Sequence, residues 1–345
     1  MVWIAASSTV ILALGGEVAL RAARARSARE VARYREANVF EKGRDVLEAN
    51  GDTLWLQRGV RYRPGARLDL DVAGERFEIA INRHGYRTHD FEATKPPGVF
   101  RVVCIGGSTT VQGRTNEETY PARLERKLRA LRPGRTVEVL NLGINGTGSD
   151  FWLERADELF RFAPDLVVQY DFVNDLFFRH LPRYAAEHPR ASSARHSLFV
   201  ARLFPPSAAD LEPYLSRTLR NVRQMAGECR DHRAAHVAGA FAGPDPGGAP
   251  PLFGAYLDEN TEAWGGRAGL RFYRGYDAVR LDFNQRLRKA AAEGRLELAP
   301  VDERVSDPSL FVDLCHMTGA GIEALAEALL PAALRTLDAS RPAGS

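Results

Sequence analysis

A chain of 345 residues, 45% hydrophobic and 26% charged, can bury a full core, which excludes a disordered protein and a minimal stapled scaffold. Lys and Arg number 47 against 44 Asp and Glu, a net charge of +3, so no broad field of one sign argues for nucleic acid. Cys104, Cys229 and Cys315 are odd in number and far apart, which excludes a disulfide framework and any CxxC metal site.

Residues 2–20 are apolar, rich in Ala, Ser and Gly, and interrupted by Glu17. Their length approaches the roughly 20 residues needed to cross a bilayer. The arginines that follow, from Arg21 to Arg35, would keep their side cytoplasmic. No basic region precedes Trp3, so the segment does not read as a cleaved signal peptide. Residues 1–26 are therefore expected to form a membrane anchor helix, the alternative being a soluble amphipathic helix.

An extension follows over 27–98. Within it, 67–72, a turn at Ala73-Gly74 and 75–82 alternate polar and apolar residues, which predicts a β-hairpin with one buried face. Pro96-Pro97-Gly98 marks a boundary, after which strands and helices alternate with short connections, as in a parallel sheet wrapped by helices. Strands are predicted over 101–106, 137–142, 166–170, 236–241 and 296–301. Helices are predicted over about 119–131, 150–162, 276–292 and 318–337, with a further one carrying Leu215, Leu219, Val222 and Met225. Residues 243–254, rich in Pro and Gly, read as a loop.

The first strand of this unit, Val102-Val103-Cys104-Ile105, runs straight into Gly106-Gly107-Ser108. Four apolar residues in a row predict a strand covered on both faces. A serine on the glycine turn would then sit at the carboxyl edge of the sheet, where open α/β folds bind ligands. By itself the motif reads first as a strand-end turn whose serine caps the next helix, and the other motifs must overturn that reading. Two further motifs share that edge: Asn141 to Ser149, with Gly146, after the second strand, and Asn174-Asp175 after the third. Asp313-Leu314-Cys315-His316 comes just before the last helix. A backbone N–H and a carboxamide are what a developing oxyanion requires. An aspartate three residues before a histidine can orient the imidazole as base for the serine.

In these residues and their order the chain resembles the SGNH (GDSL-like) hydrolases over about 99–338. Gly106-Gly107-Ser108 matches the nucleophile block, Gly146 the glycine block, Asn174-Asp175 the asparagine block and Asp313 to His316 the DxxH block. The resemblance implies a three-layer αβα sandwich with a five-stranded parallel sheet, flavodoxin-like, which here carries a small N-terminal β-hairpin extension. It implies Ser108 as nucleophile, His316 as base and Asp313 as its partner. The oxyanion hole would be Ser108 N–H, Gly146 N–H and the Asn174 side chain. No cofactor or metal is implied. Asn82 to Arg87 is similar to the lead-in of membrane-anchored bacterial members. Two positions depart from the pattern: Gly107 stands where Asp is frequent, and Phe172 where Gly is usual, which is expected to narrow the pocket.

The expected activity is cleavage of a small-molecule or carbohydrate acyl ester. The alternatives are acyl transfer to a sugar or natural product at the same site, and a non-catalytic binding domain on this scaffold. A dinucleotide fold is disfavoured because the glycines run Gly143-x-x-Gly146-x-Gly148 and not GxGxxG, and no phosphate-loop motif occurs. His180, His188, His196, His232 and His236 lack metal-ligand spacing and read as core or surface histidines. The aromatics Phe172, Phe177 and Phe178 read as core or pocket wall, and Asp175 as a turn cap.

Overall fold

The structure, a computed structural model, describes residues 2–37, 55–57, 61–72, 74–188 and 196–340. Ala73 of the predicted hairpin turn therefore lies outside the described residues. The elements in chain order are helix α1 (Val2–Ala37), strands β1 (Trp55–Gln57), β2 (Arg61–Tyr62), β3 (Arg67–Val72), β4 (Glu75–Ala80) and β5 (Val99–Gly106), and helices α2 (Ser108–Val111) and α3 (Tyr120–Leu131). Next come β6 (Thr136–Asn141), α4 (Ala156–Arg161), β7 (Leu166–Tyr170), a π-helical turn (Asp175–His180), α5 (Leu181–Glu187), α6 (Leu198–Leu203) and α7 (Glu212–Asp231). The chain closes with β8 (Ala235–Gly239), α8 (Pro251–Gly265), α9 (Tyr273–Ala292), β9 (Glu297–Ala299), α10 (Val301–Arg304) and α11 (Gly319–Ala339).

Five strands form the central sheet in the order β6-β5-β7-β8-β9, with every pairing parallel. The expected α/β fold with a five-stranded parallel sheet flanked by helices is the one observed. The middle of β5, Val102-Val103-Cys104-Ile105, is a continuous apolar run because successive side chains point to opposite, covered faces. Val102 and Cys104 of β5 pack with Leu124 and Leu128 of α3, Phe283 of α9 and Leu325 of α11. Val103 and Ile105 face the other way, with Leu140, Met225, Cys229 and Trp152. Full burial of one such side chain contributes roughly 1.5–3 kcal/mol.

The predicted hairpin is present as β3 and β4, in register Leu68 with Ile79. It is more than an outlying arm. Leu68, Ile79, Ile81, Tyr86 and Phe91 belong to the same apolar cluster as Val103 and Ile105, so this segment helps to cover one face of the central sheet.

Several sequence expectations are corrected. The helix expected over 150–162 is reduced to Ala156–Arg161. Phe151 and Trp152 are buried in turns instead, and Asp150 is held by the Arg179 guanidinium. The loop expected over 243–254 gives way at Pro251 to α8, with proline in its first turn and Phe253, Tyr256, Leu257, Asn260 and Thr261 buried at helical spacing. The last strand covers only Glu297–Ala299, because Val301 already starts α10.

For residues 2–20 a membrane span was expected. Among the described residues, no helix is long and apolar enough to cross a membrane. Helix α1 packs along α8 and α6. Glu17, the residue that interrupts the apolar run, accepts hydrogen bonds from Phe199 N–H (2.9 Å), Ser197 Oγ (2.8 Å) and Arg21 Nε (2.6 Å). Arg24 reaches the Arg271 carbonyl and the Glu262 carboxylate.

Candidate active site

The order in which strands are added to the sheet reverses between β5 and β7, the switch point at which open α/β sheets bind ligands. Ser108 leaves β5 there and Asn174 follows β7. The turn into Ser108 is built on glycine for lack of space: a Cβ on Gly107 would lie 2.3 Å from Asn174 Nδ2 and 3.1 Å from the Thr147 carbonyl oxygen. The frequent aspartate of this block has no room here. Gly107 and Asn174 are a matched pair, the glycine allowing the carboxamide to lie against the backbone beside the serine.

His316 Nε2 lies 2.9 Å from Ser108 Oγ, and His316 Nδ1 lies 2.8 Å from Asp313 Oδ2. The other carboxylate oxygen of Asp313 accepts from Cys315 N–H (2.9 Å) and His316 N–H (2.7 Å). Burial pushes the Asp313 carboxyl up, but the His316 charge and these hydrogen bonds outweigh it and hold the group below its ordinary value. An ionised carboxylate accepts only, so the proton between the two groups sits on Nδ1, and Nε2, when it carries no proton, is placed to accept from Ser108 Oγ. Asp313 and His316 are buried, and Ser108 is half-buried.

Gly146 is exposed with φ +75, and nothing lies within 4 Å of the position of a Cβ. Its backbone conformation, and not crowding, favours glycine. Its neighbours are tied down, Asn145 N–H to Tyr62 Oη (3.3 Å) and Thr147 N–H to the Ile144 carbonyl (3.3 Å). Among the described residues, the Gly146 N–H itself is spent on no hydrogen bond. Asn174 is buried and donates from Nδ2 to the Thr147 carbonyl (2.7 Å), which uses one of its two amide hydrogens. Ser108, the Gly146 loop, Asn174 and the Asp313–His316 pair, from four separate segments, thus meet at one edge of the sheet.

Asp175 does more than cap a turn. Its carboxylate accepts from Ser149 N–H (2.9 Å) and Ser149 Oγ (3.1 Å), tying the Gly146 loop to the π-helical turn that begins at Asn174's neighbour. Nearby Asp171 accepts from Gln169 Nε2 (3.2 Å). Burial, then the Asp175 charge, pushes the Asp171 carboxyl from 3.8 up to about 7. Burial pushes Asp175 to about 6 against the pull of Ser149 and Arg179. A carboxyl raised on folding favours the native state at low pH, and that contribution is lost as pH climbs from the unfolded value through the folded one. Asp171→Asn should therefore stabilise the protein at pH 8 by about 2–4 kcal/mol. The gain should shrink towards pH 5. Thermal melts of both proteins at the two pH values measure this, and an equal or larger gain at pH 5 would contradict the assignment.

Asp313, Cys315 and His316 bring three donor atoms within 4.8 Å of one another. They do not suit a cation. Asp313 and His316 are bonded to each other, and burial, then Asp313, pushes the Cys315 thiol well above its ordinary value. The same features disqualify Cys315 as nucleophile, since its Sγ approaches Nδ1 (3.6 Å), the nitrogen turned away from Ser108. Of the other histidines, His180 bonds Thr218 Oγ1 (2.7 Å), His236 bonds Gln169 Oε1 (3.0 Å), His188 bonds the Tyr184 carbonyl (3.1 Å) and His232 stacks on Phe160. Phe172 stacks on Phe283 at 4.8 Å between ring centres and packs with Phe241 and Tyr276 in the main core. Its expected narrowing of the pocket is replaced by core packing. Phe177 is also core, whereas Phe178 is exposed.

The family model described as GDSL-like Lipase/Acylhydrolase family matches residues 104–324, and the chain belongs to that family. By that membership it is a carboxylic ester hydrolase. No curated protein matches the sequence. Among solved structures, an acetylxylan esterase from Geobacillus stearothermophilus is 17% identical with a TM-score of 0.45, covering 67% of this chain and 93% of that one. A GDSL-like lipase from Bacteroides thetaiotaomicron is 16% identical with a TM-score of 0.40, over 68% of this chain and 88% of its own. A lipolytic protein of the G-D-S-L family from Desulfitobacterium hafniense is 12% identical with a TM-score of 0.41, over 67% and 98%.

Proposed function

We propose that the chain hydrolyses an acyl ester of a small molecule or carbohydrate through Ser108, His316 and Asp313. Ser108 Oγ attacks the carbonyl carbon as its proton passes to His316 Nε2. The carbonyl electron pair moves onto oxygen, facing Ser108 N–H, Gly146 N–H and the Asn174 amide. When the carbonyl reforms, the bond to the alcohol breaks and the alcohol leaves with the proton from Nε2. Water then attacks the acyl-serine, giving its proton to Nε2, which returns it to Ser108 as the acid departs. Asp313 holds the imidazole in the required tautomer and stabilises its cation.

The observation that supports this reading is the unbroken line from Asp313 Oδ2 through His316 to Ser108 Oγ, at 2.8 and 2.9 Å. A fluorophosphonate should label Ser108, as read by mass spectrometry of the peptide, and acetyl, butyryl and octanoyl esters should be hydrolysed with a preference for one chain length. Labelling of a residue other than Ser108, or hydrolysis of none of the panel together with no labelling, would contradict it.

A further inference from the structure

Ser108 and His316 belong to segments 208 residues apart, and their 2.9 Å contact requires the turn after β5 and the loop before α11 to be held in fixed relation. A buried carboxamide spans that gap. Gln112 follows directly on α2; its Oε1 accepts from Met317 N–H (2.7 Å) and its Nε2 donates to the Thr109 carbonyl (2.9 Å). The two partners fix the orientation of the amide, since a backbone N–H can meet only the oxygen and a carbonyl only the NH₂. Each anchored backbone group belongs to the residue immediately after a reacting one: Thr109 after Ser108, Met317 after His316.

The strut stands on a fixed base. Buried Arg87, from the segment before β5, donates to the Val111 carbonyl and to the Gly113 carbonyl (2.8 Å), on either side of Gln112. Its Nε also meets Asn116 Oδ1 (3.2 Å), and Asn116 is bonded through its amide to Ala80 of β4 (2.7 Å). The loop carrying His316 and the short helix carrying Ser108 cannot shift relative to each other without breaking the buried hydrogen bond from Met317 N–H to Gln112.

We infer that Gln112 is a positioning residue for the proposed reaction, a hydrogen-bonded strut that sets the distance between nucleophile and base. It touches neither reacting atom. The inference rests on the Ser108–His316 reading, and it acts on the chemical step: a misplacement of about 1 Å in such a pair can cost on the order of 100-fold.

Two variants and a control test it. Gln112→Met keeps length and apolar bulk but makes neither hydrogen bond. Counted per site by fluorophosphonate titration taken to completion, its kcat should fall about 10- to 100-fold with KM within about twofold. Gln112→Glu, when protonated, reproduces both bonds, its carbonyl accepting from Met317 N–H and its hydroxyl donating to the Thr109 carbonyl. When ionised it loses the donor. The ratio of its kcat to the unmodified enzyme's should therefore fall as pH rises, whereas the ratio for Gln112→Met stays level. A structural role without positioning predicts lowered melting temperature and unchanged kcat per titrated site. That result in Gln112→Met, or a pH-independent ratio in Gln112→Glu, overturns the strut. Turnover surviving in Ser108→Ala would instead overturn the nucleophile on which the inference rests, so the two failures are distinguishable.

Discussion

Ser108→Ala should reduce ester turnover by about 10⁴-fold or more while leaving the thermal melt within a degree or two of the parent. Ser108 is half-buried, opens a helix, and has its hydroxyl bonded to His316, so its removal leaves the packed strands on either side intact. His316→Ala should cost a similar factor, because without a base at Nε2 the serine stays a neutral, weakly nucleophilic alcohol. The double variant is the sharper measurement. Nucleophile and base act as one unit, so the second substitution should add almost nothing, whereas independent contributions would multiply. Multiplicative loss in the double variant, or turnover retained by Ser108→Ala, would rule out the proposed pairing. Cys315→Ala is the companion: with its thiol buried, protonated and on the Nδ1 side of the ring, it should leave kcat nearly unchanged.

What was legible in the sequence follows from which interactions are local. The central strands show themselves because a doubly covered parallel sheet demands runs such as Val102-Val103-Cys104-Ile105, all of them fully buried. Their order along the chain then puts Ser108, Gly146 and Asn174 on one edge, and Asp313 and His316 bond within a single turn. Helix α8 was hidden because Pro250-Pro251 and the neighbouring glycines read as loop, although in tertiary context proline simply opens the helix. The helix expected from Asp150 failed for the opposite reason: Asp175 and Arg179, remote in sequence, hold Ser149 and Asp150. Glu17 looked like a flaw in an apolar span and instead accepts hydrogen bonds at the start of α6. The roles of Gln112 and Arg87 are defined by carbonyls and amides contributed from elsewhere in the chain, so the Asn82 to Arg87 resemblance marked Arg87 without showing what it holds. For Gln112 the sequence offered only its place four residues after Ser108.

Asn174→Ala should lower kcat by about 100- to 1000-fold with little change in KM. In the ester ground state the carbonyl oxygen carries little charge and Ser108 and Gly146 N–H can satisfy it. Only as the tetrahedral state forms does the oxygen need a third donor, and an interaction made only then appears in kcat. The carboxamide is already aimed, because Asn174 Nδ2 is tethered to the Thr147 carbonyl at 2.7 Å within the same loop that carries Gly146. No reorganisation is then required during the reaction. Gly107→Ala should reproduce part of the loss without touching the carboxamide's chemistry, since the new Cβ would fall 2.3 Å from Asn174 Nδ2 and displace it. If the two act through one donor, the combined variant should be no slower than Asn174→Ala alone. A rise in KM at constant kcat in Asn174→Ala would instead make this residue a ground-state binding contact, and the oxyanion role would fall.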